Sequence, residues 1–326
     1  VLEEAYRTGL QVGDQIYCAY ALVHTGLLLF AAGRPLAEQE EKLNTFLGFF
    51  EKDDVQGPDL ALFPVRDAVR ALRGERRDFD EAGYRERLRQ AELPFVEHVY
   101  LLHKLQVACR LDGDYREGLR LAEEAKRFSQ YSTGMLHLSA QNFLESLSVI
   151  ELCRESEPEE RQRFASVLQK NQKLLGSWAE HCPENFRHKF VFIEVKRRLL
   201  EPLEELDAGE IFDALEEALD LARRNNFVHD VALIAEHAGE FCLRLGRQRF
   251  ATTYFRELFQ AAQAWGADAL LERVAERRPE YATTMRNRRQ DEISSDSSSG
   301  SAALDLATIL KASQTMSGEI VLDQLL

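Results

Sequence analysis

The chain predicts an all-α fold, a right-handed α-solenoid of helical hairpins, and three observations carry that expectation. Apolar residues recur at helical steps along most of the 326 residues, and alternating β-branched runs are scarce. Glycines recur at the joints between these helical stretches, where the chain has to reverse. Only eight prolines interrupt them, and a composition 45% hydrophobic and 29% charged belongs to a chain that packs.

The elements follow in order. The opening "VLEEAYRTGLQ" reads as a helix from its first residue. "YALVHTGLLLFAAGRPLAEQEEKLNTFL" then gives two helices about Gly33, with the small residue Gly26 seven positions before the turn. Pro58 and Pro64 in "DDVQGPDLALFPVRDAVRAL" mark a connection, because proline fits a first helical turn and disrupts a later one. In "EHVYLLHKLQVACRLDGDYREGLRLAEEAKRF", Leu101, Leu105, Ala108 and Leu111 form one apolar stripe. After a break at Gly113, Leu119, Ala122 and Ala125 form a second. The acidic stretch 151–162, "ELCRESEPEERQ", reads as an exposed loop entering a helix that runs to about Glu180. A turn at Pro183 and a helix to about Leu200 come next. Gly209 opens "EIFDALEEALDLARR" as the second helix of a pair and stands 37 residues before Gly246. Around Gly246, Ala238 and Gly239 belong to a first helix and Ala251, Phe255 and Leu258 to a second. Gly239 precedes Gly246 by the same seven residues that separate Gly26 from Gly33.

Hairpins repeating at roughly 34 residues are the mark of tetratricopeptide-like (TPR-like) arrays. A small residue lets two helix backbones approach closely, and a turn glycine adopts backbone angles that cost other residues energy. One hairpin cannot bury both its faces, so stacking continues along the chain. About seven degenerate hairpins are expected over residues 1–289. Residues 290–301, "QDEISSDSSSGS", have little to bury and read as a flexible Ser-rich linker. Residues 302–326 read as an amphipathic connector helix. Ser301 caps it, Asp305 suits its first turn, and Leu306, Ile309 or Leu310, Met316 and Ile320 recur on one face, with Gly318 a weak point. Such a face suits folding back as a cap, or pairing with a twin in a dimeric coiled coil.

Composition excludes several function classes. A formal net charge of −14 opposes a general nucleic-acid surface, which needs concentrated Lys and Arg. No run approaches the ~20 apolar residues of a membrane span, and no signal peptide opens the chain. Cys18, Cys109, Cys153, Cys182 and Cys242 are odd in number and lie far apart, which suggests reduced thiols in a cytoplasmic protein. The nucleotide-cradling GxxxxGK[ST] pattern is absent, as are HExxH and GxSxG. His98 and His103 are five apart and His229 and His237 eight apart, and neither interval places two ligands on one helical face. "SWAEHCPENFRHKF" gathers Cys182 with His181 and His188, but without the strand-to-helix elbow of a nucleophile. It reads as an interhelix joint anchored by Trp178. Arg273, Arg277, Arg278, Arg286, Arg288 and Arg289 alternate with Glu272, Glu276 and Glu280, the pattern of a solvated, ion-paired face. No catalytic, cofactor-binding or metal-binding residue is assigned, and no cofactor is expected.

Four stretches taken together resemble one family: "AYRTGLQVGDQIYCAYALVHTGLLLFAAGRPLAEQEEKLNTFL", "KNQKLLGSWAEHCPENFRHKF", "AWGADALLERVAERRPEY" and "ALDLATILKASQTMSGEIVLDQLL". They look like the TPR-like region of large multidomain bacterial signalling proteins. In those, a serine/threonine-kinase-like domain and an AAA-like (STAND) ATPase precede the helical region, and a GAF domain and often a histidine kinase follow it. The resemblance implies a non-catalytic, cytoplasmic scaffold of a two-component type system, in which kinase and ATPase activities belong to other domains. Its concave surface would bind neighbouring domains of the parent chain or a partner protein, and its C-terminal connector would lead into a GAF domain and support a dimer. A different reading makes it a small-molecule sensor of an ATPase-coupled regulator, with Tyr100, His103, Gln141, Asn142 and His188 lining an inducer cavity.

Overall fold

The computed structural model describes residues 1–52, 57–75 and 79–282. The expected linker at 290–301 and connector at 302–326 lie outside the described residues, as do Arg286, Arg288 and Arg289. The chain divides into two units, Val1–Arg273 and Val274–Leu326. Of the second, residues 274–282 are described, and they are helical to Arg277 with Val274 buried.

The described residues form fourteen α-helices and no strand. They are α1 (Leu2–Val12), α2 (Gln15–Ala31), α3 (Leu36–Lys52), α4 (Phe63–Leu72), α5 (Glu81–Ala91), α6 (Pro94–Val107) and α7 (Tyr115–Ala125). After them come α8 (Leu136–Cys153), α9 (Pro158–His181), α10 (Pro183–Arg198), α11 (Ala208–Arg224), α12 (Val228–Arg244), α13 (Gln248–Trp265) and α14 (Asp268–Arg277). The fold is an α-solenoid of helical hairpins, as the spacing of turn glycines predicts. Neighbouring helices pack as α1/α2, α2/α3, α6/α7, α8/α9, α10/α11 and α12/α13, whereas α4 packs on α6 and α5 meets α6 through Tyr84 against Tyr100.

Local chemistry explains the joints. Gly33 and Gly246 have φ of 64° and 67°, the left-handed conformation that ends α2 and α12 and turns the chain into α3 and α13. Gly239 does the second job read from the sequence: a Cβ there would stand 2.9 Å from the Phe255 ring, so the close approach of α12 to α13 depends on its absence. Pro94, Pro158 and Pro183 each occupy the first turn of a helix, where the missing N–H is not needed. The acidic stretch 151–162 is mostly helical rather than a loop. Glu151–Cys153 finish α8, residues 154–157 connect, and Pro158 starts α9 with Glu159 and Glu160 favourably placed in its first turn.

Burial separates the helices into two sets. On α7, α9, α11 and α13 the buried residues form single stripes, such as Ile211, Leu215, Ala218, Leu219 and Ala222 on α11. On α8 every residue from Gln141 to Ile150 is buried, and on α12 every residue from His229 to Ala235. Consecutive burial means that no face of these inner helices is left for solvent.

Candidate functional site

The inner helices were expected to present a concave groove, and within Val1–Arg273 they pack against one another instead. Phe30, at the end of α2, has its ring centroid 5.0 Å from His103 of α6 and 6.5 Å from Trp265 of α13. Trp265 in turn lies 5.6 Å from His229 of α12. Gly33 sits directly on that imidazole, where an added Cβ would stand 2.0 Å from His229 Nδ1. Residues more than two hundred positions apart therefore meet in one core.

Beside this contact lies a buried ionic cluster. Arg110 is in the π-helical turn Ala108–Asp112 that extends α6, His188 and Lys189 are on α10, and His229 and Asp230 begin α12. Arg110 donates from Nη2 to Asp230 Oδ1 at 2.6 Å, from Nη1 to the His229 carbonyl at 3.1 Å and from Nε to Gln106 Oε1 at 2.7 Å. Lys189 Nζ donates to Asp230 Oδ2 at 2.7 Å, and His188 Nε2 lies 2.8 Å from the same oxygen. Phe227 stacks on His188 with centroids 4.7 Å apart and takes the Lys189 ammonium over its ring at 4.5 Å. Asp230 and His188 are fully buried. Burial alone would raise the Asp230 carboxyl, but Lys189 and Arg110 outweigh it and hold the group well below the usual carboxylate range. Burial, aided by the Lys189 charge, pushes His188 down to about 4 and keeps it neutral. Two cations facing one carboxylate, closed off from solvent, tie three hairpins together. They give no substrate a route to a reactive atom.

The other residues singled out by sequence are brought to the interior separately and are engaged there. Tyr100 hydrogen-bonds Glu81, and His103 Nδ1 lies 2.7 Å from the Val99 carbonyl. Gln141 bridges His98 Nε2 at 2.8 Å and the Ala122 carbonyl at 3.1 Å, and Asn142 donates to the Asn171 carbonyl. With His188 in the ionic cluster, each of the five residues proposed to line an inducer cavity has at least one hydrogen-bond partner inside the protein, while Asn142 Oδ1 and His188 Nδ1 are buried without one. Trp178 packs on Phe186 at 5.9 Å across the α9–α10 joint. There Cys182 is the residue preceding α10, and His181 is exposed with Nδ1 turned to the Ser177 carbonyl, away from the thiol. None of the five cysteines is disulfide-bonded, and Cys18, Cys109 and Cys242 are buried. Arg273 pairs at 2.6 Å with Glu236 of α12 instead of with a glutamate of its own helix. His237 approaches Lys196 Nζ at 3.1 Å, and among the described residues no group of three or more His, Cys, Asp or Glu is placed to hold a metal ion.

Sequence reasoning missed Arg110, Lys189 and Asp230. The available signal was a charge set inside an apolar stripe, such as Asp230 in "FVHDVALIAEHA".

One surface departs from this closed pattern. Helix α2, "QIYCAYALVHTGLLLFA", is apolar nearly all round, the composition of a buried helix. Yet Ile16, Tyr17 and Tyr20 are 62%, 67% and 53% exposed. Ile16, Tyr20 and Leu28, four and eight residues apart, share one face with Tyr17, and exposed Leu10 and Val12 of α1 precede them in the chain. No helix among the described residues is long and apolar enough to cross a membrane.

A family model described as "CHK1-like, TPR repeats" matches residues 65–243, just over half of the chain. The match runs from α4 to the end of α12 and so contains the whole ionic cluster. No curated protein and no solved structure matches the chain.

Proposed function

Because the chain belongs to the CHK1-like TPR-repeat family, we propose that it is a non-catalytic protein-interaction scaffold that relays signals between domains of a larger cytoplasmic signalling protein. The observation that carries this reading is the exposed stripe of α2. A helix apolar on every side leaves Ile16, Tyr17, Tyr20 and Leu28 uncovered, and in a stacked array such a face is covered by a further helical layer or a neighbouring domain. In the parent chain that neighbour is the nucleotide-dependent module, of AAA/STAND ATPase type, and the connector at 302–326 leads to a GAF domain and histidine-kinase output.

The ionic cluster suits the relay. Arg110, Lys189 and Asp230 bridge hairpins far apart in sequence, so a push on α2 is passed on through a single packed body. Curvature changes distributed over independent repeats would require breaking these bonds.

Isothermal titration against the isolated neighbouring domains tests the proposal. Saturable binding to one of them should be lost in Ile16→Asp and Tyr20→Asp, both at exposed positions that leave folding intact. The reading fails if no neighbouring domain binds, or if both variants bind as the parent sequence does. Engagement of Tyr100, His103, Gln141, Asn142 and His188 by internal partners weighs against the inducer-sensor alternative.

A further inference from the structure

A second surface has the opposite chemistry to the α2 stripe. Helices α4 and α5 flank a cleft of about 480 Å³, walled by Arg66, Arg70 and Arg87 around Phe63, with Phe79 and Tyr84 as its apolar part. The Arg66 and Arg87 guanidinium carbons lie 5.2 Å and 5.5 Å from the Phe63 ring centroid, so one aromatic ring orients both cations. Phe79 and Tyr84 pack with centroids 5.4 Å apart, and the Tyr84 hydroxyl donates to the Leu60 carbonyl at 2.9 Å, which turns that hydroxyl away from any ligand.

The three arginines differ in what neutralises them. Arg70 pairs with Glu40 at 2.6 Å and Arg87 with Asp59 at 3.0 Å. Arg66 has the neutral Asn44 amide oxygen at 3.3 Å, and no carboxylate of the described residues forms an ion pair with it. It is half-buried, and that burial, with the Arg70 charge beside it, lowers its pKa below the usual arginine value against the opposing charges of Glu40, Glu51 and Asp67. Two carboxylates also line the cleft: Asp80 caps α5 by accepting from the Gly83 N–H at 2.9 Å, and Asp67 acts on Arg66 through its charge. A partly desolvated guanidinium that hydrogen-bonds no carboxylate of the described residues, held on an aromatic ring, is stabilised by an oxyanion that donates no proton and accepts two N–H bonds.

We propose that this cleft binds a short acidic peptide segment, its carboxylate or phosphate on Arg66 and its neighbouring apolar side chain on Phe79 and Tyr84. The site goes beyond the scaffold reading and stands without it, since the α2 stripe uses different helices. A polynucleotide fits less well, because a net charge of −14 repels a long polyanion whereas one anionic side chain meets only the local field of the cleft.

Fluorescence anisotropy on the full chain tests this with labelled peptides carrying Glu-Phe, phosphoserine-Phe or Gln-Phe in a Gly/Ser background, and with a labelled single-stranded oligonucleotide. Saturable binding of the Glu-Phe or the phosphoserine-Phe peptide is expected, with the two arms separating carboxylate from phosphate as the preferred anion. The Gln-Phe peptide should bind at least tenfold more weakly, and Arg66→Gln should weaken the anionic peptides about tenfold, while Arg120→Gln on α7 changes nothing. In the unaltered protein the Gly83 amide resonance should shift during the titration, which keeps the test decisive if Arg66→Gln folds poorly. The proposal is overturned if neither anionic peptide saturates, if the Gln-Phe peptide binds equally well, or if the Gly83 resonance stays fixed. It is also overturned if the oligonucleotide binds more tightly than the peptides in an Arg66-dependent way.

Discussion

Acidification should destabilise this protein well above the pH at which carboxylates titrate. His103 and His188 are buried and neutral, and burial pulls both imidazoles down to about 4. In the unfolded chain each returns to roughly 6.5. The sign follows from the neutral form being the one the fold accepts. Stability is fully present above about pH 6.5 and is lost as pH falls through the window to about 4, because the unfolded chain takes up protons there and the native one does not. At pH 5 each side chain costs about 2 kcal/mol relative to pH 7.5, so the pair removes about 4 kcal/mol. His229, also buried and held well below its ordinary value, adds to the loss in the same direction. Asp230 does not offset it, since its carboxyl stays ionised throughout the window. Set against a typical total of about 5–15 kcal/mol, this is a large fraction. Urea denaturation followed by circular dichroism at pH 7.5, 6.5, 5.5 and 5.0 measures it. Stability constant to within about 1 kcal/mol over that range would refute the reasoning, as would imidazole resonances of His103 and His188 that titrate near 6.5 in the native protein.

Three further outcomes follow from the interior. Asp230→Asn leaves Arg110 and Lys189 facing each other without a counter-ion and should cost about 3–5 kcal/mol by denaturant titration, whereas a loss below about 1 kcal/mol would mean the cluster does not hold the hairpins together. Gly33→Ala combines a left-handed backbone with a Cβ 2.0 Å from His229 and should cost about 2–4 kcal/mol, and an unchanged midpoint would contradict the contact between the α2–α3 joint and α12. Burial pushes the Cys109 and Cys242 thiols up to about 12 and about 11, so alkylation at pH 8 with mass-spectrometric readout should label Cys182 in the folded protein and those two only after unfolding. Labelling of Cys182 far faster than a simple thiol at pH 6 would reopen the nucleophile reading of that joint.

Much of the architecture was legible because its determinants are local. Gly33, Gly113 and Gly246 mark chain reversals through a backbone angle that a neighbouring sequence window already implies, and Gly26 and Gly239 mark close helix contacts. The boundaries at Pro58, Pro64 and Pro183 follow from the missing N–H in the same way. The ionic cluster was not legible, because Arg110 meets Asp230 across 120 residues and each alone resembles an ordinary surface charge. The same nonlocality explains why Tyr100, Gln141 and Asn142 suggested a cavity: the sequence shows polar groups on inner helices, and their partners Glu81, Ala122 and Asn171 come from other helices. The α2 stripe was hidden for a further reason. Ile16, Tyr17 and Tyr20 have the pattern of a buried helix, and only the position of α2 in the array exposes them.

Amide hydrogen exchange over residues 2–28, in the chain alone and with the nucleotide-dependent module proposed to neighbour it, tests the scaffold claim most directly. The account predicts that the module slows exchange across α1 and the exposed stripe of α2 by at least tenfold and leaves α9 and α11 unchanged. Equal exchange of residues 2–28 in the two states would contradict it.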